Sequence, residues 1–242
     1  MAKTVSSFVK FKLIPLLEGM DFNVNATKHV YSKTINGNNI SISLDKEKIN
    51  YPKEIKIHDE TTCNFSHEEN FVVLECVCQL LRKGYNPRHI ELEPRWKLGH
   101  QAKGGKADIL IRDNSNNPLI IIECKTTGKE FQDAWRDTLE DGAQLFSYFQ
   151  QEKKISFLCL YTSGITDSNI RREYFLINVK DNEEYLKAHP SLKSYKSATN
   201  NKELFEVWSA TYQKSFSRVG LLEEDISAYS IGKNNYTVED LK

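Results

Sequence analysis

Residues 119–125 constrain the fold of this chain more than any other stretch, because they predict a strand that is buried on both faces. They read Leu-Ile-Ile-Ile-Glu-Cys-Lys. A continuous apolar run of this length is typical of a strand inside a sheet that is covered on both sides. Side chains alternate along a strand, so Glu123 and Lys125 project to one face and Cys124 to the other. Such a charged pair either lies exposed at the sheet edge or forms a functional site.

The patterns on either side of this strand predict an α/β core with a mixed central sheet. A helix is expected from Ser66, which can cap it, with Glu69 three residues later and apolar residues at helical spacing beyond. The other predicted elements are strands at 90–96, 107–112, 155–161 and 174–179, and one long helix from Lys129 to about Gln151. This order favours a single core domain over residues 61–180.

Both ends of the chain are predicted to be additions to this core. In residues 1–60, strands at 40–44 and 53–57 are expected to pair as a hairpin across 45–52. Residues 181–242 are expected to form a helical extension, in which Phe205, Trp208 and Tyr212 recur at helical spacing. These aromatic residues either couple the core to another domain or partner, or pack on the sheet.

The composition excludes several classes of protein. The chain has 242 residues, with 33 Lys and Arg against 33 Asp and Glu. Zero net charge rules out a generally basic nucleic-acid coat, so DNA affinity would have to come from a local patch or a partner. The absence of a long apolar stretch predicts a cytoplasmic chain with no membrane partner. The five cysteines lack zinc-site spacing and are expected to be reduced thiols.

Asp108 and Glu123 carry the strongest chemical signal. Asp108 lies on the predicted strand that precedes Glu123, and paired strands are about 4.8 Å apart, so the two carboxylates can converge on one hard cation. Such a cation activates water and neutralises phosphate charge, and Lys125 would add a positive donor beside it. This combination suits phosphodiester hydrolysis. The alternative is a surface ion pair between Glu123 and Lys125.

Gly105-Lys-Ala-Asp108 followed by Ile121-Ile-Glu-Cys-Lys125 resembles the signature of the PD-(D/E)xK nucleases. The sequence departs from that signature in having Ala107 where the family has Pro, a residue that supplies no metal ligand. The family usually has an acidic residue on the preceding helix, and the resemblance gives this role to Glu69, with Glu68 as a possible replacement. Helix capping is an equal alternative for Glu69.

A second motif, Gln144-Leu-Phe-Ser-Tyr148, resembles the Gln-x-x-x-Tyr motif of the RecB-like members of this family. The resemblance implies that Gln144 and Tyr148 face the active site, where they touch DNA or order the catalytic residues. It covers about residues 66–163. Over that range the chain looks most like the N-terminal nuclease domain of type I-like restriction enzymes.

The resemblance implies a restriction-endonuclease-like αβββαβ core and an endonuclease that cuts double-stranded DNA in a restriction-modification system. It implies Mg²⁺ as the cofactor, with Mn²⁺ able to substitute, bound by Asp108 and Glu123 beside the catalytic Lys125. It also implies a helicase/translocase or adenine-methyltransferase module in the same or an associated chain. No Walker or methylase motif occurs in this sequence.

Basic residues between positions 82 and 106 are the candidate contacts to the DNA backbone. Seven Lys and Arg residues fall here against two acids, and Lys103 and Lys106 flank a Gly-Gly pair just before Asp108. Two lysines on a glycine loop could hold a phosphate, although phosphate contacts carry no sequence information. A solvated turn is the alternative.

Two other functions stay open from the sequence. The same fold could be a catalytically silent DNA-binding or assembly module of a restriction complex. A thiol enzyme using Cys124 or Cys76 would need a nearby base and a lowered thiol pKa, and alternation directs Cys124 away from Glu123 and Lys125.

Overall fold

The strand that contains Glu123 and Lys125 is the middle strand of a seven-stranded mixed sheet. A computed structural model describes residues 9–25, 27, 29–96, 105–152, 154–166, 169–179 and 216–219. In these ranges the α-helices are α1 (Ile14–Gly19), α2 (Glu69–Arg82), α3 (Lys129–Asp141) and α4 (Ala143–Gln151). The strands are β1 (Asn23–Asn25), β2 (Val30–Ile35), β3 (Asn38–Ser43), β4 (Lys48–Asn50), β5 (Lys56–Ile57), β6 (Ile90–Leu92), β7 (Ile109–Arg112), β8 (Pro118–Lys125), β9 (Phe157–Thr166), β10 (Asn169–Asn178) and β11 (Phe216–Val219).

The large sheet has the order β11-β10-β9-β8-β7-β6-β5, and β1 to β4 form a separate antiparallel sheet. In the large sheet β8 runs antiparallel to β7 and parallel to β9. The predicted α/β class with a mixed sheet is therefore confirmed. No helix in the described part of the chain is long and apolar enough to cross a membrane.

Both faces of β8 are covered, as its apolar run predicts. Ile120, Ile122 and Cys124 belong to a core shared with α1, α2 and the small sheet. Ile121 belongs to a second core on the opposite face, shared with α3 and α4. Alternation thus directs Glu123 to the same side as Ile121, towards α4.

The hairpin predicted at the N-terminal end has a different partner. Ser41, Ile42 and Ser43 pair with Lys48–Asn50 across a tight turn, not with residues 53–57. Lys56–Ile57 instead joins the edge of the large sheet, parallel to β6. The prediction was wrong because it overlooked a three-residue strand, Lys-Ile-Asn, whose only buried side chain is Ile49.

The single long helix predicted from Lys129 is two helices. Gly142 has a left-handed backbone with φ of 80°, and its N–H donates to the Thr138 carbonyl in a helix C-cap. The chain restarts as α4 at Ala143, and Tyr148 lies on this second helix. A glycine inside an apparently helical pattern was the available signal.

The strand predicted at 90–96 ends early, at Leu92. Glu93 has a left-handed φ of 57° and Pro94 follows, so the continuous ladder is interrupted there and only an isolated bridge between Arg95 and Lys106 lies beyond. In the predicted helical extension the structure describes only 216–219, and these residues are a strand beside β10. Phe205, Trp208 and Tyr212 lie outside the described residues.

Candidate active site

Asp108 and Glu123 meet across the β7–β8 pair. Ile109 is paired with Ile122 in antiparallel register, so Asp108, one residue before β7, comes opposite Glu123. The Asp108 carboxylate accepts the backbone N–H of Cys124 at 2.6 Å, which fixes its side chain to β8. The structure therefore places the two carboxylates on neighbouring strands, where the charge of Glu123 acts on Asp108.

Lys125 joins two elements at this site. Its Nζ lies 2.7 Å from Oε1 of Glu123 and 3.1 Å from Oε1 of Glu69. The Lys125 side chain is only 13% exposed and that of Glu123 only 4%. The pair is therefore buried inside the site, and the alternative of an exposed ion pair at the sheet edge is wrong.

Glu69 contributes to the site and does not form a capping box. Helix α2 begins at Glu69, and the residue before it, Glu68, makes no side-chain cap hydrogen bond. Ser66, the proposed cap, donates its N–H to Asn64 Oδ1 instead. Glu68 points elsewhere and pairs with Lys12 at 2.6 Å. Of the two neighbouring acids, the structure brings Glu69 to Lys125.

Tyr148 extends from α4 to the other oxygen of Glu123. Its hydroxyl lies 2.8 Å from Glu123 Oε2 and 2.8 Å from the carbonyl oxygen of Lys106. Gln144, one turn earlier and exposed, is 3.5 Å from the same hydroxyl. Trp96 packs against the Tyr148 ring with centroids 5.8 Å apart. Tyr148 therefore orients Glu123, while Gln144 is only weakly connected to the site.

The electrostatics of the site favour an added positive charge. Burial and the nearby charge of Glu123 raise the pKa of Asp108 well above its usual range. Burial also raises the pKa of Glu123, although Lys125 and Tyr148 act in the opposite direction. Burial alone would lower the pKa of Lys125, but the carboxylates of Glu123 and Glu69 outweigh it and raise that pKa. When ionised, the carboxylates of Asp108, Glu123 and Glu69 together carry more negative charge than the single ammonium of Lys125 can neutralise.

The donor set fits a hard cation that keeps several ligands of its own. Within the described residues no group of three or more His, Cys, Asp or Glu side chains is arranged to hold a metal. Asp108 and Glu123 are nonetheless two oxygen donors on adjacent strands. Mg²⁺ is commonly bound by one or two carboxylates, with water and substrate phosphate completing its octahedron. A site of this type needs no third protein carboxylate.

Comparison with known proteins gives no family for this chain. No family model matches the sequence, and no curated protein matches it.

A cavity of about 980 Å³ opens over Glu123 and Lys125, between the sheet and helices α3 and α4. Its helical wall has a net negative charge, because Glu130, Asp133, Asp137 and Glu140 outnumber Lys129. Negative charge on this wall disfavours a phosphate backbone lying along α3. A nucleic acid would have to approach from another direction or have its charge offset by a partner.

Of the two lysines expected to hold phosphate, Lys103 lies outside the described residues. The Lys106 ammonium is ion-paired with the buried Glu93 and is 3.2 Å from Thr61 Oγ1. Lys106 would have to leave Glu93 to bind a phosphate. Arg95 likewise pairs with Asp59. In the described part of the 82–106 segment, Lys106 and Arg95 are thus already neutralised by carboxylates of the protein.

A second buried polar network, which the sequence pattern did not reveal, holds α2 in place. Glu75 is fully buried and accepts hydrogen bonds from Tyr161 at 2.6 Å, from Arg172 at 2.7 Å and from Gln79 at 2.6 Å. These contacts tie α2 to β9 and β10. The only sequence signal was an acid on the apolar face of a helix.

The thiols lie inside the protein. All five cysteines are reduced and buried. Burial and the neighbouring Cys76 raise the pKa of Cys124 well above its usual value, the reverse of what a thiolate nucleophile requires. The burial of both thiols and the raised pKa of Cys124 disfavour the hypothesis of a thiol enzyme using Cys124 or Cys76.

Proposed function

We propose that this protein is a divalent-metal-dependent DNA endonuclease with a PD-(D/E)xK-type active site. The observation that carries the proposal is the convergence of Asp108, Glu123 and Lys125 at the ends of β7 and β8. The order of α2, β6, β7, β8, α3 and β9 supports a restriction-endonuclease-like core. We extend the proposal to 5′-phosphate and 3′-hydroxyl products and to a cytoplasmic restriction system with a translocase or methyltransferase partner.

Each residue has a separate task in this proposal. Asp108 and Glu123 hold the cation, which when bound supplies Lewis acidity for a water and a phosphate oxygen. Lys125 carries its proton at neutral pH and offers it as a donor to the phosphate or the attacking water. Glu69 orients Lys125, and Tyr148 orients Glu123. The buried carboxylates are therefore already fixed in position, so binding a cation costs them little further conformational entropy.

A second candidate is a catalytically silent assembly module of a restriction complex. The observation that favours it is the acidic wall of α3, because this surface suits a basic partner better than DNA. On that hypothesis the Asp108 carboxylate is dispensable for cutting by the assembled complex.

Metal binding by the isolated chain is the first test. We would titrate Mn²⁺ by calorimetry into wild type, Asp108→Asn and Glu123→Gln. Glu140→Gln is the matched control, since it removes an acid from the same cavity without touching the carboxylate pair. We expect binding in wild type and in the control and none in the two site variants.

Cleavage of supercoiled plasmid is then assayed with Mg²⁺ or Mn²⁺. Nicking by wild type and the control, but not by the site variants, supports the endonuclease. Absence of Mn²⁺ binding, both alone and with short duplex DNA present, would leave the assembly module as the better proposal.

A further inference from the structure

A second, smaller cavity borders the candidate active site on the α2 side of the sheet. Its volume is about 230 Å³. Its walls include Thr126, the residue after Lys125, and Glu68, the residue before Glu69. Because Thr126 and Glu68 directly adjoin Lys125 and Glu69 along the chain, the cavity and the site meet where β8 ends and α2 begins.

Aromatic side chains line this cavity. Phe11 and Phe71 both contribute, together with Ile165. Phe11 is 71% exposed, and Val24 is the other strongly exposed large apolar side chain among the described residues. Val24 lies on β1, in the small sheet. An exposed aromatic ring beside a cavity is well suited to stack on a planar ligand.

Polar groups complete the lining. Ser163 is only 6% exposed, and its hydroxyl has no hydrogen-bond partner in the described structure. Tyr161, two residues earlier on β9, packs in the α2-side core, so Ser163 faces that same side. At the rim, Lys12 and Glu68 form a partly exposed ion pair. A buried hydroxyl without a partner weakens the fold unless a ligand satisfies it.

We propose that this cavity binds one unpaired nucleobase of the substrate strand. The ligand must be planar, must be smaller than the drug-sized ligands whose pockets start at roughly 300 Å³, and must carry polar groups on its edge. A base meets these conditions: aromatic side chains stack on it, a carboxylate accepts from its exocyclic amino group, and hydroxyls pair with either edge type. An aliphatic ligand would leave Ser163 unsatisfied, and a bare phosphate would leave the aromatic side chains without a stacking partner.

This inference rests on the proposed nuclease function and narrows its substrate. A paired base cannot enter a cavity without leaving the helix, which costs least at single-stranded, nicked or mismatched positions. The preferred substrates are therefore strands with an unpaired nucleotide beside the scissile phosphate, ahead of intact duplex.

Binding is measured by fluorescence anisotropy in EDTA, so that it does not depend on the metal. The probes are a labelled 12-nucleotide single strand and the same strand with abasic positions. We expect Phe11→Ala to weaken binding of the intact strand roughly 5- to 150-fold, the range measured for loss of one base–aromatic stack. Ser163→Ala should weaken it to a smaller degree, and Val24→Ala, the exposed apolar control, should not.

Competition with free deoxynucleoside monophosphates distinguishes the source of the base. If only DNA strands displace the labelled strand, the cavity binds a base of substrate DNA. If a free nucleotide displaces it equally well, the cavity binds a small-molecule ligand and the substrate proposal is overturned. Equal affinity for abasic and intact strands, or for wild type and Phe11→Ala, would also overturn it.

The outcome is separable from that of the nuclease proposal. Base-dependent binding without Mn²⁺ binding by Asp108 and Glu123 would retain the cavity and reject the enzyme. Metal-dependent cleavage that is unaffected by unpaired bases and by Phe11→Ala would support the enzyme and reject the base-binding cavity.

Discussion

Replacing Tyr148 with phenylalanine removes one hydroxyl from the candidate active site and keeps the ring that packs against Trp96. That hydroxyl is 2.8 Å from Glu123 Oε2. A hydrogen bond to a charged group contributes about 1.5–3 kcal/mol, and each 1.4 kcal/mol corresponds to about tenfold in affinity. We therefore expect Tyr148→Phe to weaken Mn²⁺ binding about 10- to 100-fold, similar to the loss of other groups that orient metal ligands.

The same substitution should change the pH dependence of metal binding. The Tyr148 hydroxyl favours the ionised form of Glu123, so its loss raises the pKa of Glu123 further. Protons then compete with Mn²⁺ more strongly, and the pH at which binding is half-maximal should rise in the variant. Calorimetric titrations at several pH values measure both the affinity and this midpoint.

Tyr161→Phe is a matched control for this experiment. Tyr161 is also a buried tyrosine that donates to a buried carboxylate, at 2.6 Å from Glu75, but on the α2 side of the sheet. It should destabilise the fold without changing Mn²⁺ affinity. Equal Mn²⁺ affinity in Tyr148→Phe and wild type would refute the role of Tyr148 in orienting Glu123, and equal losses in both variants would point to a general structural effect.

Two further predictions concern stability. Glu75→Ala should lower the free energy of unfolding by about 3–5 kcal/mol, because it leaves Tyr161 and Arg172 without their buried partner; urea unfolding with Gln79→Ala as the milder comparison measures this. Asp108→Asn should stabilise the metal-free protein at neutral and higher pH. A carboxyl with a raised pKa in the folded state contributes stability that is present at low pH and is lost as the pH rises through that raised value. The difference in unfolding free energy between variant and wild type should therefore grow with pH, and a difference that shrinks would contradict the assignment.

The parts of the fold that could be predicted are those fixed by local patterns. The apolar run before Glu123 predicted a central strand, and β8 is indeed the middle of seven. Which strands pair with each other was harder to predict, because Ile49 is the only buried residue of the strand that completes the N-terminal hairpin. The break between α3 and α4 depends on two consecutive residues with positive φ, Gly142 and Ala143, inside an otherwise continuous helical pattern.

The candidate site divides in the same way. The convergence of Asp108 and Glu123 follows from alternation and the pairing of consecutive strands. The engagement of Lys106 by Glu93 does not, because it depends on a backbone that turns out of β6 at a left-handed residue. The contact of Arg172 with Glu75 joins residues 97 positions apart, and no local pattern reports it.

Glu69 illustrates why geometry was needed to decide between two roles. The same Ser-x-x-Glu spacing satisfies a capping box and the acidic position of a nuclease. The contact of Lys125 with Glu69 and the Ser66 N–H bond to Asn64 distinguish the two roles. With Lys125 between Glu69 and Glu123, and Asp108 alongside, three carboxylates face one ammonium. If all are ionised, two negative charges remain, which is the charge that one divalent cation neutralises. This excess negative charge is buried, where water screens it poorly. A bound cation would therefore stabilise the protein more here than at an exposed acidic surface such as α3.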